Sequence, residues 1–154
     1  SPANLALARG LTVALSARPA AEVELPFRLT WEPPNGVYRT YLGHVTIAER
    51  RASFDAICAD FRFDDLRYSI TDYLSVETYE MTSRATAEIA ALHTAPLFTN
   101  PRIVMAAVVT RPDIIEAIGE FVSYGFAPAP YEVFSTPAEA RAWIAAHPTW
   151  RPSR

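Results

Sequence analysis

Pro101-Arg-Ile-Val-Met-Ala-Ala-Val-Val-Thr-Arg-Pro-Asp113 decides the architecture. Ile103 to Val109 is apolar without alternation, the pattern of a strand covered on both faces. It is far shorter than the roughly 18–20 residues that a membrane span requires. A doubly covered strand belongs to a parallel sheet, and parallel neighbours need crossover helices. Thr110 is expected to cap the helix that follows, with Pro112 in its first turn and Asp113 at its favourable end. Ile114, Ile115, Ile118, Phe121 and Val122 form the inner stripe, and Gly125 stands where a left-handed C-terminal residue belongs.

Similar units flank this one. Downstream, Tyr131 to Phe134 reads as a short strand. Thr136-Pro-Ala-Glu139 has capping-box spacing ahead of a helix that buries Ala140, Trp143 and Ile144. Upstream, Leu66, Tyr68 and Ile70 give a strand ending near Asp72. Thr82 or Ser83 then caps a helix with inner residues Ala85, Ile89 and Leu92, stopped by Pro96. Thr46 and Glu49 make another capping box. Ile47, Phe54, Ile57, Cys58 and Phe61 share the apolar face of that helix, with Glu49, Arg50 and Asp60 off it. Phe27, Leu29 and Trp31 alternate with polar residues as a half-buried strand. Pro33-Pro-Asn-Gly36 turns the chain, with Asn-Gly suited to positive φ, and Val37 to Leu42 returns as far as Gly43. The predicted order is β-β-α-β-α-β-α-β-α, an α/β fold. It has a mixed, mostly parallel sheet of about five strands packed with about four helices, and the first strand is an antiparallel edge. The expected organisation is an N-terminal arm over 1–26, one domain over 27–148 and a polar tail over 149–154.

Composition narrows the function. Of 154 residues, 50% are hydrophobic and 20% charged, enough apolar material for a sizeable core. The net charge of −3 argues against a generic nucleic-acid or anionic-membrane binder. All 14 basic residues are Arg, and the absence of Lys excludes a Walker-type phosphate loop. There is no Gly-x-Gly-x-x-Gly, no Gly-x-Ser-x-Gly elbow and no His-Glu-x-x-His. The single cysteine, Cys58, precludes an intrachain disulfide framework and reads as inert packing. Leu5 to Ala17 is Ala-rich and apolar, but Arg9 and Gly10 interrupt it and no basic n-region precedes it, so a cytoplasmic location is expected. Asp55, Asp60, Asp64 and Asp65 lack the alternation and central Gly of a calcium loop. No metal or cofactor is expected.

His93 and His147 lie near helix C-termini, where an imidazolium is favoured. His44, after a strand-end Gly, falls on the rim where open α/β sheets bind ligands. Asp72, Thr110, Arg111 and Ser135 are expected on the same rim, with Arg111 able to hold an anion. Tyr38, Tyr41, Tyr68, Tyr73 and Tyr79, if on one face, would line a pocket for an apolar or ring-bearing ligand.

Three stretches carry a family resemblance: Gly43-His-Val-Thr-Ile-Ala-Glu49, Ser69-Ile-Thr-Asp72, and Tyr131 through Trp143-Ile144. From about Val37 to Ala146 the chain resembles the SpoIIAA-like (STAS/SEC14-type) family of small bacterial proteins. The resemblance implies a mixed sheet with helices. It also implies a non-catalytic role, either docking a regulatory partner protein or binding a small hydrophobic ligand. Antagonists of this family carry an Asp-Ser-Ser-Gly-like phosphorylation site at the start of a helix. Here the corresponding run is Asp72-Tyr-Leu-Ser-Val-Glu-Thr78, with Ser75 as the weak counterpart. The expected ligand residues are Tyr38, Tyr41, Tyr68, His44, Asp72 and Arg111, and a homodimer is plausible from the exposed edge. The alternative is a small hydrolase or transferase using His44 and Asp72 as base and orienter.

Overall fold

The computed structural model describes residues 26–125 and 129–148. The expected arm, apart from Pro26, and the tail lie outside them. A five-stranded sheet runs in the order β1 (Phe27–Glu32), β2 (Gly36–Val45), β3 (Tyr68–Tyr79), β4 (Val104–Val108), β5 (Tyr131–Phe134). β1 is antiparallel to β2, and the other pairs are parallel. The helices are α1 (Ile47–Ala59), α2 (Ser83–Leu92), α3 (Thr94–Thr99), α4 (Pro112–Ser123) and α5 (Pro137–Ala146), and a 3-10 turn covers Phe61–Asp65.

Strands that pair in sequence order through right-handed crossovers place their connecting helices on one face. Accordingly α1, the α2–α3 pair and α4 cover the side that carries Val37, Tyr41, Tyr73 and Ala107. Among the described helices, α5 alone packs on the other side, against Ile70, Val104, Ala106 and Val108. β4 is the strand sandwiched between both layers, as its unbroken apolarity requires. The capping box at Thr46 is complete: the Glu49 amide donates to Thr46 Oγ1 (3.2 Å) and the Thr46 amide to Glu49 Oε2 (2.8 Å). Thr136 likewise accepts from the Glu139 amide.

Several local expectations are corrected. β3 does not end near Asp72 but continues to Tyr79. Register shifts against β2 insert extra β3 residues between Asp72 and Ser75 and between Val76 and Thr78. Each insertion shifts the alternation, so Tyr73, Val76 and Tyr79 all reach the same core. Pro96 does not stop a helix; it sits in the first turn of α3, where its missing N–H costs nothing. α4 starts from Arg111 without a side-chain cap, so Thr110 is not one. Arg50 points inward, whereas Phe61 is 85% exposed and Leu92, Ile115 and Val122 also face outward. Positive φ occurs at Gly43 and Gly125 and not at Asn35-Gly36. Gly36 is needed for another reason: a Cβ there would collide with the Tyr68 ring.

Candidate functional site

Strand parity separates the tyrosines expected on one face. Tyr38 and Tyr41 are an odd number of positions apart on β2, so they point to opposite sides. Tyr38, Tyr68 and Asp72 occupy the α5 side. There the Tyr38 hydroxyl donates to Asp72 Oδ2 (2.5 Å), and Tyr68 donates to Glu32 Oε1 (2.8 Å). Arg141 of α5 grips both oxygens of Glu32 (2.9 and 2.7 Å) and lies 5.3 Å from the Tyr38 ring centroid. Hydrogen bonding from Arg141 holds the Glu32 carboxyl below its ordinary pKa. Burial, then the bond to Glu32, pushes Tyr68 up to about 12. Each polar group in this network has its partner.

The expected rim does not assemble. His44 is exposed and its Nδ1 meets Thr78 Oγ1 (2.5 Å). Asp72 lies six positions before Thr78 on β3, a separation of about 20 Å at strand rise. A base–orienter pair of His44 and Asp72 is therefore ruled out. Arg111 is already engaged: Asp113 takes its Nε and Nη2 (3.1 and 2.8 Å), and Nη1 meets the Glu77 carbonyl. Ser135 is exposed, and Ser75 lies exposed within β3 rather than at a helix start.

The opposite side holds a cavity. Tyr41, Tyr73, Tyr79 and Tyr131 meet Phe54 of α1, Ile89 of α2, His93, and Ile114, Ile118 and Phe121 of α4 around about 50 Å³ of free volume. An adjoining lobe of about 30 Å³ runs beneath Phe63 and Leu97, sharing Arg39, Phe54, His93, Met105 and Tyr131. The rings form two sets: Tyr41–Tyr73 centroids are 5.5 Å apart and Tyr73–Tyr79 5.7 Å, while Phe121 and Tyr131 lie 5.8 Å apart. Burial raises the pKa of Tyr41, Tyr79 and Tyr131, so all three are un-ionised at neutral pH.

Polar groups at this wall are few and specific. Arg39 of β2 reaches Thr71 and Ser53, and Tyr41 shares a 2.6 Å hydrogen bond with Ser53. Desolvation disfavours the Arg39 charge most, but the surrounding tyrosines counter it and leave its pKa raised. His93 contradicts the expected helix-end imidazolium. It is 7% exposed, stacks on Phe54 at 3.7 Å, and bonds through Nδ1 to the Ile89 carbonyl (2.7 Å). Burial pulls its pKa down to about 4, so it is neutral and Nδ1 carries the proton. The sequence reading missed Arg39, Arg50, His93 and Tyr131 as cavity residues. Parity from Tyr41 would have placed Arg39. Cys58 lies at the periphery of the core, and burial pushes its thiol up to about 11, too high for a reactive thiolate. Among the described residues no cluster of His, Cys, Asp and Glu could hold a metal, and no helix is long and apolar enough to cross a membrane.

No protein-family model and no curated protein matches the sequence. Among solved structures, the chain is similar to the anti-sigma factor antagonist SpoIIAA in its unphosphorylated form. The TM-score is 0.52 at 11% identity, covering 79% of this chain and 99% of that one. It is also similar to an uncharacterized protein of Shewanella loihica with a SpoIIAA-like fold. Here the TM-score is 0.50 at 10% identity, covering 77% and 91% of the two chains. The mixed five-stranded sheet, its helix-covered face and α5 on the reverse side are thus a SpoIIAA-like fold.

Proposed function

We propose that the chain is a non-catalytic, cytoplasmic STAS-type domain that binds a small, largely apolar molecule between the sheet and helices α1, α2 and α4. The cavity walled by Tyr41, Tyr73, Tyr79 and Tyr131 carries this reading. Interiors are ordinarily packed as densely as organic crystals. A concave, mostly apolar space with a few fixed polar groups is the usual form of a small-molecule site. On the scale where one water needs roughly 10–15 Å³, the main lobe holds about three to five water-sized groups. Of the expected ligand residues Tyr38, Tyr41, Tyr68, His44, Asp72 and Arg111, Tyr41 alone lines it. Tyr38, Tyr68 and Asp72 act as a brace on the reverse face.

Native mass spectrometry of the protein purified from its own host tests this. The expected spectrum shows a small molecule that is released on unfolding, and the same spectrum reports the subunit count. Protein that flies empty, and whose melting temperature no member of a small apolar ligand set raises, would overturn the reading.

The likeness to an anti-sigma factor antagonist favours a second reading, docking of a regulatory protein. Ser75, exposed on β3, is then the hydroxyl to examine. Its phosphorylation by a cognate kinase would support that role, and an unmodified chain after incubation would remove it.

A further inference from the structure

Two arginines reach the cavity wall without an acid to meet them. Arg39 gives Nε and Nη2 to Thr71 Oγ1 (3.2 and 2.9 Å) and Nη1 to Ser53 Oγ (3.0 Å). A guanidinium has five N–H bonds, so two of those on Arg39 remain uncommitted. Arg50 is 8% exposed, donates one long hydrogen bond to the Glu80 carbonyl (3.3 Å), and lies over the Tyr79 ring at 4.6 Å. The Glu80 carboxylate is turned to the Ile47 amide at the start of α1 (3.0 Å). No described carboxylate forms an ion pair with either arginine.

Among the described residues no Asp or Glu side chain is paired with these two cations. Buried charges are normally paired, because an isolated one keeps most of its desolvation penalty. The groups that do surround them are neutral: tyrosine hydroxyls, Ser53, Thr71 and an uncharged His93. They orient the guanidinium groups without cancelling their charge. The pocket is thus apolar in shape and positive in potential, which is complementary to an anion with an apolar body.

We propose that this cavity binds a small organic carboxylate. Its oxygens accept the free N–H groups of Arg39 and Arg50, and its flat or short apolar part lies among Tyr41, Tyr73, Phe121 and Tyr131. The planar fork of a guanidinium matches a carboxylate in two hydrogen bonds. Inorganic phosphate suits the site less well. It needs donors on all sides, whereas aromatic and aliphatic side chains line much of the wall and no glycine is among the lining residues. The assignment rests on the ligand-binding reading above and names the chemistry of the ligand.

The test is calorimetric titration of the full chain with propionate, hexanoate and benzoate. Benzamide serves as the neutral isostere of benzoate, and inorganic phosphate as the competing anion. The expected result is saturable binding of at least one carboxylate, at least tenfold weaker binding of benzamide than of benzoate, and affinity that falls as salt rises. Arg39→Met and Arg50→Met are each expected to weaken carboxylate binding tenfold or more and to narrow the benzoate–benzamide difference. If Arg39→Met does not fold, Arg50→Met and the benzoate–benzamide comparison on the native chain still decide the matter. Benzamide binding as tightly as benzoate would overturn the carboxylate assignment and leave an apolar site standing. Preference for phosphate would also overturn it. Binding of none of the five compounds would overturn the carboxylate assignment, whereas the wider reading is decided by the host-purified mass.

Discussion

His93 makes the stability of this domain fall on mild acidification, by an amount the structure sets. An unfolded histidine titrates near 6.5, whereas His93 in the fold titrates near 4 because burial against Phe54 and Phe121 opposes its charge. The Ile89 carbonyl works the other way, and the Arg39 and Arg50 charges add to the depression. The folded pKa is the lower one, so the unfolded chain binds the extra proton between the two values. Stability is therefore fully present above pH 6.5 and is lost as pH falls towards 4. The whole shift corresponds to about 3 kcal/mol, of which about 2 kcal/mol is gone by pH 5. The assay is urea unfolding at pH 8, 6.5 and 5 for the native chain and for His93→Phe. Every other ionisable group is common to both proteins, so the difference between the two curves isolates His93. The native chain is expected to lose about 2 kcal/mol more than the variant from pH 8 to pH 5. Parallel losses would refute the burial of a neutral imidazole and with it this description of the cavity wall.

Three further outcomes follow from named contacts. Gly36→Ala is expected to destabilise the domain by about 1–3 kcal/mol in chemical denaturation, because Tyr68 is pinned by Glu32 and cannot move aside. Thr46→Ala removes the α1 cap and is expected to cost about 1 kcal/mol. Hydrogen exchange should locate that loss in the first turn of α1. Asp72→Asn is expected to lower the Tyr38 pKa, read by near-ultraviolet absorbance on raising pH. It should leave that pKa above the ordinary phenol value, since burial is the larger cause and Asp72 the second.

The fold was legible because its signals are local and redundant. Ile103 to Val109 announced the doubly covered strand, and Thr46 and Thr136 marked two helix starts by hydrogen bonds that depend only on neighbours in sequence. The far half of β3 was not legible. Its register shifts change the alternation to a spacing of three at Tyr73, Val76 and Tyr79, a pattern that belongs to no regular strand. The cavity was hidden for a related reason. Arg39 and Arg50 look like solvated charges in a sequence, and only the packing of α1 over β2 encloses them. His93 is similar: its position at the end of α2 suggested a charged cap, but the Phe54 ring of a different helix decides its protonation.

The face of the tyrosines, by contrast, could have been read. Odd spacing on a strand puts Tyr38 and Tyr41 on opposite sides whatever the tertiary structure. The rim hypothesis failed through the misplaced end of β3. Once that strand runs to Tyr79, Asp72 sits in its middle and cannot reach His44.

The central claim is that ligand enters between the sheet and the α1–α2–α4 layer. Nitrogen and aromatic NMR spectra of the full chain, recorded during titration with benzoate, test it most directly. The account predicts saturable shifts of Arg39 Nε, the His93 ring and the Tyr41 and Tyr131 rings, with His44 and Ser75 undisturbed. Shifts confined to His44, Asp72 or the exposed part of β3, with the cavity resonances unmoved, would contradict it.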